Sequence, residues 1–384
     1  MSIQNRNITR EERKPLSKKR KSYLDILRVI ACVAVVYIHS GRIGHFYFAS
    51  FPFESWQHRL LAVPAVVSKM AVPLFLMISG AVLLDRQEDW KTHYKKRLPR
   101  GFALILFANL FYWFSEWFLF RREISLLTFI QRTMGGGMKY HLWYLYLYVA
   151  FLLVVPFLRV LVQQLSDALL VLFLVFGLLE RARPLVEFLI VGQEMVAYHL
   201  RLGWIATEAV LFPCLGYYLA HRIPQPKLKG WMVGGLLLAF IGVILAVEGM
   251  RLDMVRLQQF GEEYPGTYFE CVDGWFAIAI FLVVRVVTEH RELSKRTQSI
   301  LQFLGEQTLG IYIFHIFWNN VYWTYQQYLN WMQAGVPHLL AIVGYLLLLI
   351  VPSMGMTVLL QQLPGFHWLL GGKQFLKKHG EVVG

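Results

Sequence analysis

Ten long apolar runs constrain this chain more than any other feature. They fall near residues 23–42, 62–84, 101–120, 142–163, 166–180, 203–221, 231–249, 270–288, 308–328 and 338–360. A helix needs roughly 20 apolar residues to cross a hydrocarbon core of about 30 Å. In that solvent every backbone amide must be satisfied within the segment or within a closed barrel, and unbroken runs of this length select helices. The expected fold is all-α, a polytopic membrane helix bundle of about ten transmembrane helices. The run at 166–180 is the shortest. The stretch after it, 181–202, contains Leu185-Val-Glu-Phe-Leu-Ile-Val-Gly192 and suits an interfacial or re-entrant helix.

Composition agrees with a membrane protein. Hydrophobic residues make up 57% and charged residues 16%, against roughly 25% charged in soluble domains. A net charge of +14 would suggest nucleic acid in a soluble chain. Here the basic residues lie between the apolar runs, so membrane topology accounts for most of them and no nucleic-acid partner is expected. A polyanionic ligand, such as a phosphorylated cofactor, is their second use. Cys32, Cys214 and Cys271 lack metal spacing or obvious pairing, so neither a metal nor a disulfide framework is expected.

The distribution of lysine and arginine orients the bundle. Residues 1–22, the 86–100 connection, 222–229, 289–296 and the C-terminal tail are basic, and ten spans put all five on one side. Both termini are therefore expected in the cytoplasm. Arg121, Arg122, Arg132 and Lys139 run against this rule. The N-terminus reads as an uncleaved first helix, because a long basic tail precedes it and no small-residue cleavage site follows. The chain divides into a basic cytoplasmic tail (1–22), a transmembrane domain (23–362) and a cytoplasmic C-terminal tail (363–384).

The first run, Tyr23 to His39, is the most informative. Arg28 and His39 are eleven residues apart. At about 100° per residue they return to within about 20° of one face, separated by roughly 16 Å along the axis. Arg28 lies toward the cytoplasm and His39 deep or toward the outer leaflet. Ionisable groups inside a membrane are costly and mark function by default. Each residue has a plainer use: Arg28 can snorkel to lipid phosphates, and His39 can hydrogen-bond a neighbouring helix. Two on one face point to a shared, hydrated interior. Histidine suits proton removal at neutral pH, and its distance from the arginine suits a long cofactor with phosphates at one end and a reactive group at the other.

These residues resemble the signature of the acyltransferase-3 family of integral membrane proteins, Asp25-x-x-Arg28, then ten residues, then His39. The segment Val72-Pro-Leu-Phe-Leu-Met-Ile-Ser-Gly80 is similar to the family's second-helix pattern, and Arg97-Leu-Pro-Arg100 to its Arg-x-x-Arg element. His141-Leu-Trp-Tyr-Leu145 resembles its His-Leu-Trp-Phe-Leu segment. Gly305 to His315 resembles its Gly-x-x-Ser/Thr-x-x-x-Tyr-x-x-His segment. The resemblance covers nearly all of the chain after the tail. It implies transfer of an acyl group, usually acetyl from acetyl-CoA, to a hydroxyl of a carbohydrate or glycolipid in the bacterial inner (cytoplasmic) membrane. It implies His39 as catalytic base and Arg28, Arg97 and Arg100 as acyl-donor contacts.

Further candidates are weaker. Asp25, Trp143, Glu116 and His315 are possible acceptor-binding or orienting residues. Arg97 and Arg100 share a helical face, and guanidinium forks suit phosphate, though the same pair would hold lipid headgroups. Aromatic residues at the outer ends, from Tyr47 to Trp275, read mainly as an interfacial belt. Walker-type, HExxH and G-x-S-x-G motifs are missing from the sequence, which leaves nucleotide hydrolase, metalloprotease and serine-esterase readings without support. The competing function is a transporter of a lipid-linked sugar or acidic solute, with the buried Arg and His on its substrate path.

Overall fold

The computed structural model describes residues 21–52, 54–190, 196–197, 200–260, 268–289, 291, 293–324 and 338–372. All regular structure among them is helical. In chain order the helices are α1 (Ser22–Ile38), α2 (Trp56–Ser68), α3 (Ala71–Leu83), α4 (Trp90–Phe118), α5 (Leu126–Met134), α6 (Trp143–Gln164) and α7 (Asp167–Ile190). They continue as α8 (Gly203–Ala206), α9 (Glu208–His221), α10 (Gln225–Phe260), α11 (Tyr268–Glu289), α12 (Lys295–Thr324), α13 (His338–Gln361) and α14 (Phe366–Leu370). Most of the N-terminal tail, the acidic Glu262 and Glu263, the end of the ninth expected run and the final basic residues lie outside the described residues.

Each of the ten apolar runs meets a helix. Among the described residues, six stretches are long and apolar enough to cross a membrane: Trp56–Leu83, Trp90–Phe118, Tyr140–Gln164, Gln225–Arg251, Cys271–Glu289 and His338–Gln361. The others depart from the simple picture for local reasons. Helix α1 has 17 residues and ends at Ile38 rather than near 42. His39 is its C-cap, and a 3₁₀ turn at Gly41–Ile43 follows, entered through Gly41 at φ +60°, where glycine carries no steric penalty. The run at 203–221 is two helices, α8 and α9, joined at Thr207.

The reading of 181–202 needs correction. Residues 181–190 continue α7 instead of forming a separate interfacial helix. Charge pairing explains why the charges do not end the helix. Arg181 reaches Asp273 at 2.8 Å and Glu208 at 3.2 Å, and Arg183 bridges Glu180 at 3.1 Å and Glu187 at 2.6 Å. Charges satisfied within the bundle are tolerated at a depth where isolated ones are not. Residues 191–195 and 198–199 lie outside the described residues.

Burial separates the centre of the bundle from its rim. The apolar windows of α2–α3 and α11 are 61% buried, while that of α10 is 17% buried. On α10, Val233, Leu237, Phe240 and Ile244 are exposed. Their spacing of three to four residues is one helical stripe, and it faces lipid. At the centre, α3 and α9 cross so closely that side chains are excluded. A Cβ on Gly80 would lie 2.0 Å from the Pro213 carbonyl oxygen, and one on Gly216 would lie 1.9 Å from that of Met77. Small residues at crossings are how membrane helices approach one another. The Ser-Gly of the second-helix motif therefore has a packing role.

The stretch Trp56–Leu83 is broken in its middle. Helix α2 ends at Ser68, Lys69 is its C-cap, and α3 begins at Ala71. This break sits beside α1, which packs against both halves.

Candidate active site

Two clusters of functional side chains lie at opposite ends of α1. One gathers three histidines from distant parts of the chain. The His39 ring stacks on that of His315, with centroids 5.2 Å apart and planes 28° apart. His141 completes the cluster, its centroid 6.2 Å from His39 and 5.2 Å from His315. Tyr140 packs edge-on to His39 at 5.1 Å. His141 and Tyr140 come from the turn that opens α6, and His315 from the middle of α12.

The backbone fixes each ring. The Asn319 side-chain amide donates to the His39 carbonyl at 3.2 Å, and the Tyr345 hydroxyl donates to Asn319. The Tyr312 hydroxyl donates to the His141 carbonyl. His315 Nδ1 lies 2.7 Å from the Tyr312 carbonyl and 3.1 Å from that of Ile311. Those acceptors assign the proton of neutral His315 to Nδ1, and so leave a lone pair on Nε2. Among the described residues, that Nε2 is buried without a hydrogen-bond partner, as is His141 Nδ1. Buried polar atoms are nearly always paired, so two orphan nitrogens beside His39 mark a place built for a polar group from outside the chain. A hydroxyl, which can donate to such nitrogens, fits that place.

The second cluster is cationic. The guanidinium groups of Arg28, Arg86, Arg97 and Arg100 all lie within electrostatic reach of the Tyr148 hydroxyl. Arg28 pairs with Asp25 at 2.6 Å. Asp25 is wedged against α12, where a Cβ on Gly305 would meet its Oδ1 at 3.0 Å. Asp25 thus holds Arg28 in place and lies far along α1 from the histidines. Arg97 pairs with Glu88 at 2.5 Å, and Glu88 also receives Arg159 at 3.3 Å. Burial opposes ionisation of Glu88, but Arg97 and Arg159 together outweigh it and hold the carboxyl below its usual range. Arg100 donates to the Leu369 carbonyl at 3.2 Å, which brings α14 onto this site. Arg86 and Arg100 have no carboxylate partner among the described residues.

A line of aromatic rings connects the clusters. Tyr148 neighbours Tyr144 at 6.3 Å, Tyr144 neighbours Tyr312 at 5.5 Å, and Tyr312 neighbours His141 at 5.5 Å. Phe75 of α3 flanks Tyr144 at 5.9 Å. Tyr144, Tyr148 and Phe75 are only half-buried although they sit among interior helices.

The structure therefore brings His39 together with His315, and Arg28 together with Arg97 and Arg100. Two other expected residues stand apart. Glu116 does not orient His39; it pairs with Lys139 and, at 3.4 Å, with Arg122. That pairing also explains two of the basic residues that ran against the loop-charge rule. Trp143 is 44% exposed and has no recorded contact with the histidines. His141 and Tyr144 lie in the segment that resembles the family's His-Leu-Trp-Phe-Leu element but had no role assigned from it, and Tyr148 and Arg86 join the site with no role expected of them. Tyr148 carried no signal beyond its spacing of four from Tyr144.

Residues 21–358 match the family model of the acyltransferase-3 acyltransferase domain. The match covers most of the chain, and the protein belongs to that family: it is a membrane acyltransferase. No curated protein and no solved structure matches it.

Proposed function

We propose that the protein is an O-acyltransferase that moves acetyl from acetyl-CoA to a hydroxyl of a cell-surface carbohydrate or glycolipid. It works in the bacterial inner membrane with both termini in the cytoplasm. The observation that carries this reading is the pairing of an arginine cluster and a histidine cluster at the two ends of α1, joined by half-buried aromatic rings. Eleven residues of helix separate Arg28 from His39, roughly 16 Å along the axis. That span suits a donor with phosphates at one end and a thioester at the other.

In this mechanism Arg28, Arg86 and Arg100 hold the donor phosphates on the cytoplasmic side. Guanidinium forks match phosphate geometry. Arg97 is already committed to Glu88 and positions the cluster. The thioester arm lies along Phe75, Tyr144 and Tyr148. At the outer end, His39 accepts the proton of the acceptor hydroxyl as that oxygen attacks the thioester carbonyl. The orphan nitrogens of His315 and His141 accept hydrogen bonds from neighbouring hydroxyls of the acceptor and so orient the attacking one.

The test is ester analysis of surface glycans in a deletion strain, complemented with wild type or His39→Ala. Wild type restores the esters and His39→Ala does not. A folded His39→Ala protein that restores them sinks the mechanism. Movement of an unmodified solute across vesicles, with no labelled acetyl on any glycan, would favour the transporter.

A further inference from the structure

The histidine cluster is braced by a tyrosine to which the mechanism above gives no task. Tyr112, on α4, is fully buried, and its hydroxyl makes two hydrogen bonds to the backbone of α12. It donates to the Ile313 carbonyl at 2.7 Å and accepts from the Phe317 N–H at 3.1 Å. In an uninterrupted helix the N–H of residue 317 serves the carbonyl of residue 313. The hydroxyl therefore bridges the donor and the acceptor of a single helical turn. A side chain that enters a helical ladder at such a point bends or opens the helix. His315 is the middle residue of that turn.

The arrangement reaches His141 as well. The Ile313 carbonyl takes a second donor, His141 Nε2, at 3.4 Å. A carbonyl oxygen has two lone pairs. Tyr112 and His141 use both, and the Phe317 N–H, which would claim one, is satisfied by the Tyr112 oxygen instead. This acceptor assigns the proton of neutral His141 to Nε2. The lone pair is left on Nδ1, one of the orphan nitrogens of the cluster. The Tyr112 ring also packs edge-on to His141, with centroids 5.4 Å apart and planes at 80°. One hydroxyl thus links the backbone that carries His315 to the ring of His141.

We infer that Tyr112 is a positioning residue for acyl transfer, whose hydroxyl fixes the tautomer of His141 and the placement of His315 by drawing the Phe317 N–H away from the Ile313 carbonyl. This rests on the acyl-transfer reading above. The hydroxyl exchanges no proton in the reaction. Its work is to aim two ring nitrogens that must both act as acceptors. Without it the Phe317 N–H returns to the Ile313 carbonyl, and His141 Nε2 loses its place there. The imidazole then takes the other tautomer in part of the population. Its Nδ1–H presents a donor where an acceptor is needed, and a wrong tautomer is costly even when the geometry is intact.

The experiment uses the full chain in lipid nanodiscs, acetyl-CoA labelled in the acetyl group, and envelope glycans of the host as acceptor. In parallel, protein carrying isotope-labelled histidine is read by solid-state NMR, with the His141 nitrogens assigned by their loss in His141→Gln. Tyr112→Phe removes one oxygen and keeps the ring. It is expected to lower kcat roughly 30-fold, with KM for acetyl-CoA changed by less than about twofold. His141 is expected to be protonated at Nε2 in wild type and to become a mixture of tautomers in Tyr112→Phe. A purely structural role would lower the thermal midpoint and leave the tautomer alone. A folded Tyr112→Phe protein with wild-type kcat overturns the inference, and so does a reduced kcat with the tautomer unchanged. If Tyr112→Phe fails to fold, fluorotyrosine placed at position 112 decides the matter. Its more acidic hydroxyl donates more strongly to the Ile313 carbonyl, so the His141 Nε2 signal must move, and an unmoved signal overturns the inference. A wild-type protein that moves no label to glycan would instead overturn the acyl-transfer reading, while the tautomer still tests what Tyr112 holds in place.

Discussion

The two ends of α1 solve opposite electrostatic problems. At the arginine end, charge is abundant and largely tethered: Arg28 to Asp25, Arg97 and Arg159 to Glu88, Arg100 to a backbone carbonyl. At the histidine end, charge is scarce, and two buried ring nitrogens have no partner among the described residues. Tethered cations are preorganised to receive an anion at little cost in side-chain entropy. Unpaired nitrogens gain a hydrogen bond only when a ligand arrives, so they favour the acceptor and the transition state that forms from it. On the proposed reading, one end binds and the other reacts.

That contrast can be broken by substitution. His39→Ala should lower kcat about 1,000-fold, the range for removing a general base, in a labelled-acetyl transfer assay with protein of unchanged thermal midpoint. His315→Ala should cost about 100-fold in kcat, because it removes an orienting acceptor and the ring that His39 stacks on. An equal loss from substitutions at the arginine end would erase the distinction.

Arg100→Gln should raise KM for acetyl-CoA about tenfold, or about 1.4 kcal/mol, with kcat nearly unchanged. A fall in kcat without a rise in KM would show that the arginine end takes part in the chemistry.

The smallest expected effect concerns folding. Glu88→Gln should destabilise the protein by about 1 kcal/mol at pH 7, since it leaves Arg97 and Arg159 without their carboxylate. The native carboxyl is held below its ordinary value of 4.5. Its contribution is therefore complete above that value and is lost as pH falls through the lower native one. Thermal unfolding of wild type and Glu88→Gln should differ most at pH 7 and converge as pH drops below 4.5.

The sequence carried the class of fold without ambiguity, because twenty-residue apolar runs have few structural solutions. It also carried both ends of α1, since Arg28 and His39 are conspicuous by being charged or polar in an apolar run. It did not carry the partners those residues meet. His141 and His315 are 174 residues apart, and nothing in either local pattern says that their rings touch. Glu116 illustrates the reverse error. An acid near the outer end of a helix looks available to a histidine until Lys139, 23 residues on, folds back and claims it. The extent of α7 was hidden for a related reason. Hydropathy counts Arg181 and Arg183 as interruptions, whereas other helices supply carboxylates to Arg181 and α7 itself supplies those of Arg183.

The crossing of α3 and α9 bears on how the protein can move. With Gly80 and Gly216 each pressed against the partner backbone, the two helices interlock like the halves of a hinge pin and cannot slide past one another without collision. Phe75 rides on that locked pair. On the proposed reading, the acceptor enters on the other side of the histidines, where His315 and Asn319 of α12 and Tyr345 of α13 lie.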